Sequence, residues 1–178
     1  LEQVAAFIRD REAVGQETSL TFICTHNSRR SHMSQLWAQA AAFRAGHGYV
    51  KMFSGGTEAT ALNHRAVAAL QRAGFEIDAP AGGEDNPRYQ VRYAEETPPL
   101  AAFSKRYKES PNPARGFVAV MTCDQADVAC PIVSGAAMRV SLPYVDPKAS
   151  DGSDGETATY DARSAQIATE MAYLVSQI

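Results

Sequence analysis

Cys24 closes the apolar run "SLTFIC" and is followed by the polar, basic segment "THNSRRS", residues 25–31. Arg30 completes a Cys-x5-Arg spacing, and Ser31 stands next to it. A cysteine at the end of a buried strand, then a short loop, then a helix, is an arrangement able to hold an anion. Ligands of parallel α/β sheets gather beyond the carboxyl ends of the strands. Backbone N–H groups of such a loop converge on one point, and the following helix adds the positive end of its dipole. Thr25, His26, Asn27, Ser28, Arg29, Arg30 and Ser31 therefore form a candidate cradle for a tetrahedral oxyanion. Arg30 supplies a planar fork for two of its oxygens. The same field favours the thiolate form of a cysteine, which is its nucleophilic form. Ser31 is placed to donate to that sulfur, and Asn27 and Ser28 to brace the loop through their own backbone. His26 and His32 read as loop polarity, and Arg29 as a solvated charge that strengthens the field.

The remaining thiols lie in "MTCDQADVACPIV", residues 121–133. Cys123 ends a second apolar strand, on the same sheet edge as Cys24 if the strands are parallel. Cys130 follows just before Pro131. Structural zinc is a poor fit, because no cysteine pair has the close spacing that zinc sites use and His47 and His64 have no matching spacing. A disulfide between Cys123 and Cys130 needs the segment to bend. A continuous helix would hold their Cα atoms ~10.5 Å apart, whereas a disulfide spans ~4.4–6.8 Å. Asp124, Asp127 and Pro131 suit a loose segment that could carry a thiol to Cys24 and then outward. Asp146-Pro147 opens the Gly- and Asp-rich stretch "YVDPKASDGSDG". Asp146 reads either as an acid overhanging the oxyanion or as a plain turn.

The elements that must position these groups follow from periodicity. Val4, Ala5, Phe7, Ile8 and Val14 have helical spacing over 2–14, ended by Gly15. A strand covers 19–24. A helix covers 31–46, capped by Ser31, with Met33, Leu36, Trp37, Ala40 and Phe43 on its apolar face. A strand over 49–56 runs into a Gly turn. A helix follows over 63–75, with Asn63 as cap and Gly74 as stop. From Ala79 to Arg115 prolines dominate; there 88–95 alternates like a strand and 99–109 looks like a short helix. Strands over 116–123 and 137–143 and a helix over 159–178 complete the chain. Strands alternating with helices imply one α/β sandwich domain over 1–178, with a mainly parallel sheet, helices on both faces and an insertion near 80–115.

Totals narrow the class further. The 178 residues fit a single core, with 45% apolar and 21% charged residues. A net charge of −3 argues against a nucleic-acid footprint. No apolar run suits a membrane span, and no secretory signal stands at the start. The odd count of three cysteines points to a reducing, cytoplasmic compartment.

"CTHNSRRS" resembles the phosphate-binding loop of low-molecular-weight protein tyrosine phosphatases. "CDQADVACP" resembles the redox segment of the thioredoxin-coupled arsenate reductases that share that fold, and "YVDP" is similar to the acid loop of both. "FSGGTEATALNHRAVAALQRAGFEID" is similar to the second strand and helix of the superfamily. The resemblance implies a three-layer, flavodoxin-like fold on a four-stranded parallel sheet. It implies that Cys24 attacks arsenate held by the loop and Arg30, while Asp146 protonates the departing hydroxyl. Cys123 then attacks Cys24 and releases arsenite, and Cys130 attacks Cys123. The resulting disulfide is presented to thioredoxin, and no metal or other redox cofactor is required. His26 stands where the family loop has Gly, and Arg29 where an extra cysteine is frequent. Gln35 replaces a glutamate through which some relatives bind potassium, so a bound cation is not expected. Two other readings compete: a phosphatase hydrolysing phosphate monoesters with Cys24, Arg30 and Asp146 alone, and a non-enzymatic thiol sensor or arsenite-binding protein.

Overall fold

The computed structural model describes residues 1–178. Four strands form a wholly parallel sheet: β1 (Ser19–Cys24), β2 (Lys51–Gly56), β6 (Phe117–Met121) and β7 (Ala136–Ser141). Their order is β2-β1-β6-β7. The chain leaves β1 toward β2 and later returns to β6 on the other side of β1, so the order in which strands are added reverses there. That switch point lies between the carboxyl ends of β1 and β6, which carry Cys24 and, just beyond the strand, Cys123. β1 and β6 are almost entirely buried, which is why both read as continuous apolar runs.

Helices α1 (Glu2–Glu12), α2 (Arg30–Arg44), α3 (His64–Arg72), α4 (Asp124–Ala129) and α5 (Glu156–Ser176) flank the sheet. The main core gathers Val4, Ile8, Leu20, Phe22, Met33, Leu36, Leu70, Val118, Ile167 and Met171. This is the three-layer flavodoxin-like arrangement of the low-molecular-weight phosphatases. No helix is long and apolar enough to cross a membrane.

Several local readings need correction. α1 ends at Glu12, and Val14 lies in the turn that follows, 68% exposed. Asn63 does cap α3, accepting from Arg65 N at 2.9 Å. Ser31 does not cap α2; it sits inside that helix, whose N-cap is Arg29 with no side-chain cap bond.

The stretch 99–109 is not a helix. β5 (Leu100–Ala102) joins β4 (Tyr89–Arg92) and β3 (Glu76–Asp78) in a small antiparallel sheet. Pro98 and Pro99 bias the chain there toward extended backbone, and the strand partners outweigh the helical spacing. The chain then runs on along the free edge of β2. Gly56 N donates to Lys105 O at 2.8 Å, and Tyr107 N donates to Gly56 O at 2.9 Å. The insertion thus covers an edge that would otherwise be unpaired.

That approach explains Gly55 and Gly56, which end a strand rather than making a turn. A Cβ at Gly55 would meet Tyr107 Cα at 2.4 Å. One at Gly56 would meet Glu58 O at 2.1 Å and Thr25 O at 2.7 Å. These neighbours are backbone and cannot step aside cheaply. Gly55→Ala is expected to lower stability by ~1–3 kcal/mol, read as a lower urea midpoint with an unchanged slope.

Candidate active site

Residues 25–29 leave β1 and enter α2 with their carbonyls turned away from the site. Cys24 O accepts from Thr57 N at 3.1 Å, and Thr25 O from Glu58 N at 2.8 Å. His26 O accepts from Thr60 Oγ1 and Ser104 Oγ, each at 3.0 Å. Ser28 O accepts from Asn63 N at 2.9 Å. A trans peptide points its N–H opposite to its C=O. With these carbonyls anchored outward, the N–H groups of Thr25, His26, Asn27 and Arg29 face the other way. The loop therefore becomes a donor concavity because residues 57–63 and the insertion hold its acceptors.

Asn27 is the keystone of the turn. Its φ is 45°, the left-handed region, which Asn tolerates better than most residues. His26 has no such conformation, so its side chain is accommodated without backbone strain. Asn27 is fully buried. Its Oδ1 accepts from Lys105 N at 2.9 Å, and its Nδ2 donates to Ser31 Oγ at 2.9 Å. Ser31 Oγ lies 3.1 Å from Cys24 Sγ. With the Asn27 amide donating to it, the Ser31 hydroxyl is free to donate to the sulfur. A chain of hydrogen bonds thus runs from the insertion through Asn27 and Ser31 to the nucleophile.

Arg29 is not a solvated charge. Both Arg29 and Arg30 are 8% exposed, and both grip Asp146. Arg29 Nε lies 2.8 Å from Asp146 Oδ1, and Arg30 Nη2 lies 2.9 Å from Oδ2. Arg30 Nη1 also donates to Tyr144 O at 3.0 Å. Asp146 in turn caps the 3₁₀ helix Pro147–Ser150, accepting from Lys148 N at 3.1 Å. The Asp-Pro turn and the overhanging carboxylate are thus one feature. Burial pushes the Asp146 carboxyl up, but the Arg29 hydrogen bond and the Arg30 charge outweigh it, and the net shift is downward. The carboxylate thus takes donors from both guanidiniums. A cleft of about 640 Å³ opens beside it, lined by His26, Arg29, Arg30, Asp124, Gln125, Asp146 and Lys148 among others. Cys24, 3% exposed, lies beneath.

The other two cysteines are on the same side of the molecule. Cys24 and Cys123 belong to one small apolar cluster with Ile23, Tyr107, Phe117, Met121 and Val133, and Cys130 packs against its edge. Thr25 Oγ1 is 3.5 Å from Cys123 Sγ. All three cysteines are free thiols. The segment between Cys123 and Cys130 is not loose; it is the single short helix α4, with Cys123 as its N-cap and Cys130 as its C-cap.

Beneath the loop the structure differs from a reading of His32 as loop polarity. His32 is fully buried in α2, with Nδ1 3.2 Å from Ser54 Oγ and Nε2 unpartnered. Desolvation, then the charge of Lys105, holds its pKa well below the ordinary value. Lys105 is buried too. Desolvation and Arg88 lower its pKa to about 8, against an upward pull from Glu109. Lys105 lies in the insertion, whose spacing to the loop in sequence gives no hint of the contact. Gln35 donates from Nε2 to Met52 O at 3.0 Å, and no group of His, Cys, Asp or Glu residues is arranged to hold a metal.

A family model described as low molecular weight phosphotyrosine protein phosphatase matches residues 19–88. A search for curated relatives of similar sequence finds no match. Among solved structures, a low molecular weight protein tyrosine phosphatase from Bacillus subtilis is similar at 17% identity, with TM-score 0.60. The likeness covers 90% of this chain and 96% of that one. An arsenate reductase from Archaeoglobus fulgidus is similar at 18% identity and TM-score 0.53, over 88% and 98% of the two chains. An arsenate reductase in the phosphate binding state is similar at 14% identity and TM-score 0.52, over 90% and 98%. At these identities the likeness speaks for the fold.

Two outcomes test the electrostatics. Arg29→Leu is expected to raise the titration midpoint of Asp146, followed by carbon NMR of its side-chain carboxyl; an unchanged midpoint would mean that Arg29 does not hold the ionised form. His32 binds its proton less readily folded than unfolded, so its contribution to stability is present above about pH 6.5 and lost as pH falls. His32→Gln is expected to flatten the decline in stability between pH 7 and 5, measured by urea unfolding.

Proposed function

We propose that this protein reduces arsenate to arsenite through Cys24, Cys123 and Cys130, with thioredoxin as the external reductant in a reducing, cytoplasmic setting. The observation that carries this reading is the shared cluster: Cys24 and Cys123 are buried in one small apolar cluster, and Cys130 packs against it.

In this reading arsenate enters the cleft and takes the guanidinium donors from Asp146. Cys24 thiolate attacks arsenic and an oxygen departs as water. The acid is Asp146. Its low proton affinity rests mainly on Arg29 and Arg30, so turning those groups to the substrate leaves burial, which raises it, opposed by the Lys148 N–H bond. Substrate binding thereby converts a structural carboxylate into a proton donor. Cys123 then attacks Cys24 sulfur; the S–As electron pair stays with arsenic, which leaves as arsenite. Cys130 attacks Cys123, freeing Cys24 as a thiolate and forming the Cys123–Cys130 disulfide. Thioredoxin's two thiols reduce that bond and become a disulfide themselves.

Phosphate-monoester hydrolysis is the second reading, favoured by the complete loop and by the family model over 19–88. It uses Cys24, Arg30 and Asp146 and gives Cys123 and Cys130 no role. Its usual aromatic grip finds little support: Tyr160 is fully buried and donates to Asp151 Oδ1 at 2.8 Å. Tyr144 is buried and donates to Glu170 Oε2 at 2.7 Å. A non-enzymatic arsenite sensor leaves the anchored anion loop without purpose.

In a thioredoxin-coupled assay, wild-type protein is expected to consume reductant on addition of arsenate. Cys123→Ser and Cys130→Ser should each lower that turnover at least a hundredfold, an order of magnitude set by loss of a covalent step, while p-nitrophenyl phosphate hydrolysis persists. Undiminished arsenate turnover in both variants would remove the relay and leave a hydrolase.

A further inference from the structure

We propose that Arg139 is a latch on α4 that sets how readily Cys123 and Cys130 pair: a positioning residue that acts through the helix. The inference rests on reading those cysteines as a relay, and it concerns a residue on β7 that the chemistry above does not use.

Arg139 makes three bonds to α4 and its C-cap. Nη2 donates to Asp127 O at 2.7 Å and to Asp127 Oδ1 at 2.6 Å, and Nε donates to Cys130 O at 3.0 Å. Ser141 Oγ, from the same strand, donates to Asp127 Oδ2 at 2.8 Å. The two carbonyls lie at the helix's C-terminal end, where no further turn supplies an N–H partner. A guanidinium also complements the negative end of the helix there.

Apolar packing does little of this anchoring. Ala126 is the one buried residue of α4, and Val128 is 81% exposed. Beyond Cys130, Ile132 is 84% exposed, and the chain is next fixed by Val133, which is buried in the cluster with Cys123, and by Gly135, whose O accepts from Gly116 N at 2.8 Å. Charge-assisted bonds from one strand therefore hold a six-residue helix that has little other attachment.

The helix and the disulfide exclude each other. Cys123 and Cys130 flank α4 at its two caps, a separation far beyond disulfide reach in helical geometry. Pairing them must break the helical bonds from Asp127 N to Cys123 O and from Cys130 N to Ala126 O, both 3.0 Å. It must also move the carbonyl of Cys130 off Arg139. Arg139 thus stabilises the dithiol form selectively. It keeps Cys130 away from Cys123 until oxidation at Cys24 draws Cys123 into a bond, and it favours return of the helix after reduction.

The test is a redox equilibrium in a Cys24→Ser background, which isolates the pair. Each thiol gives up one proton and one electron. The two electrons and two protons pass to glutathione disulfide, whose S–S bond breaks to give two glutathione thiols. The bridged fraction is read by alkylation and mass mapping across graded glutathione ratios. Arg139→Met is expected to shift the equilibrium toward the disulfide by about tenfold, or about 30 mV for a two-electron couple. A change under twofold overturns the latch. Asp127→Asn keeps the bonds to the two carbonyls, loses the charge pair and should shift the same way by less. If the Arg139 variant does not fold, no shift in Asp127→Asn overturns the latch. Absence of any Cys123–Cys130 bridge without these substitutions would remove the relay as well, whereas equal equilibria remove the latch alone.

Discussion

Two buried guanidiniums at the start of one helix need an anion, and the site is organised by that demand. Arg29 and Arg30 are placed where the N-terminal N–H groups of α2 already favour negative charge. Without a carboxylate or an oxyanion they would repel each other in a poorly solvated place. Breaking a buried pair by removing one partner costs ~3–5 kcal/mol, so the chain supplies Asp146 from the turn after β7. This contact joins the loops that follow β1 and β7 at the sheet's carboxyl edge. Under the proposed chemistry an incoming oxyanion would take these guanidiniums by exchange with the Asp146 carboxylate.

The insertion has a definite place in this scheme. Peptide planarity means that a loop presents N–H groups inward only if its carbonyls are satisfied outward, and Ser104 and Lys105 take part in that. Ser104 Oγ holds His26 O, while Lys105 N holds Asn27 Oδ1. Asn86 fixes Ser104 by donating to its carbonyl at 2.8 Å and accepting from its N–H at 3.1 Å. The segment neither covers the cleft nor stands apart from the sheet. It is an outer wall for the loop, and its buried ammonium lies on the loop's far side.

Much of this was legible in the sequence, for a physical reason. Cys24, Arg30, Ser31 and Asn27 act within one short local segment, and β1 and β6 announce themselves by being buried on both faces. Contacts between distant segments were not legible. Nothing near Arg29 in sequence marks it as buried, because its partner Asp146 comes from another loop. His32 read as polar because its burial depends on Lys105 and Ser54. The stretch 99–109 has a helical pattern, and only its pairing with β4 and β2 makes it extended. Gly55 and Gly56 looked like a turn because the backbone that crowds them comes from other segments, Tyr107 of the insertion at Gly55 and Thr25 and Glu58 at Gly56. Ser31 has the residue type of a cap, but its hydroxyl is committed to Cys24 and Asn27.

The ionised Asp146 bears on which chemistry suits the site. In monoester hydrolysis the acid must protonate a leaving group that projects out of the cradle, and a large substrate must displace the carboxylate while keeping it near. A free tetrahedral oxyanion makes a smaller demand, since it replaces the carboxylate within the same guanidinium frame and leaves it adjacent to a departing hydroxyl. The thiols bias the site the same way. The second reading, hydrolysis, gives no role to Cys123, although it is buried in the same cluster as Cys24. Under the proposed relay the two contacts would act in sequence: exchange of the anion for Asp146 would precede protonation, and modification of Cys24 would precede attack by Cys123.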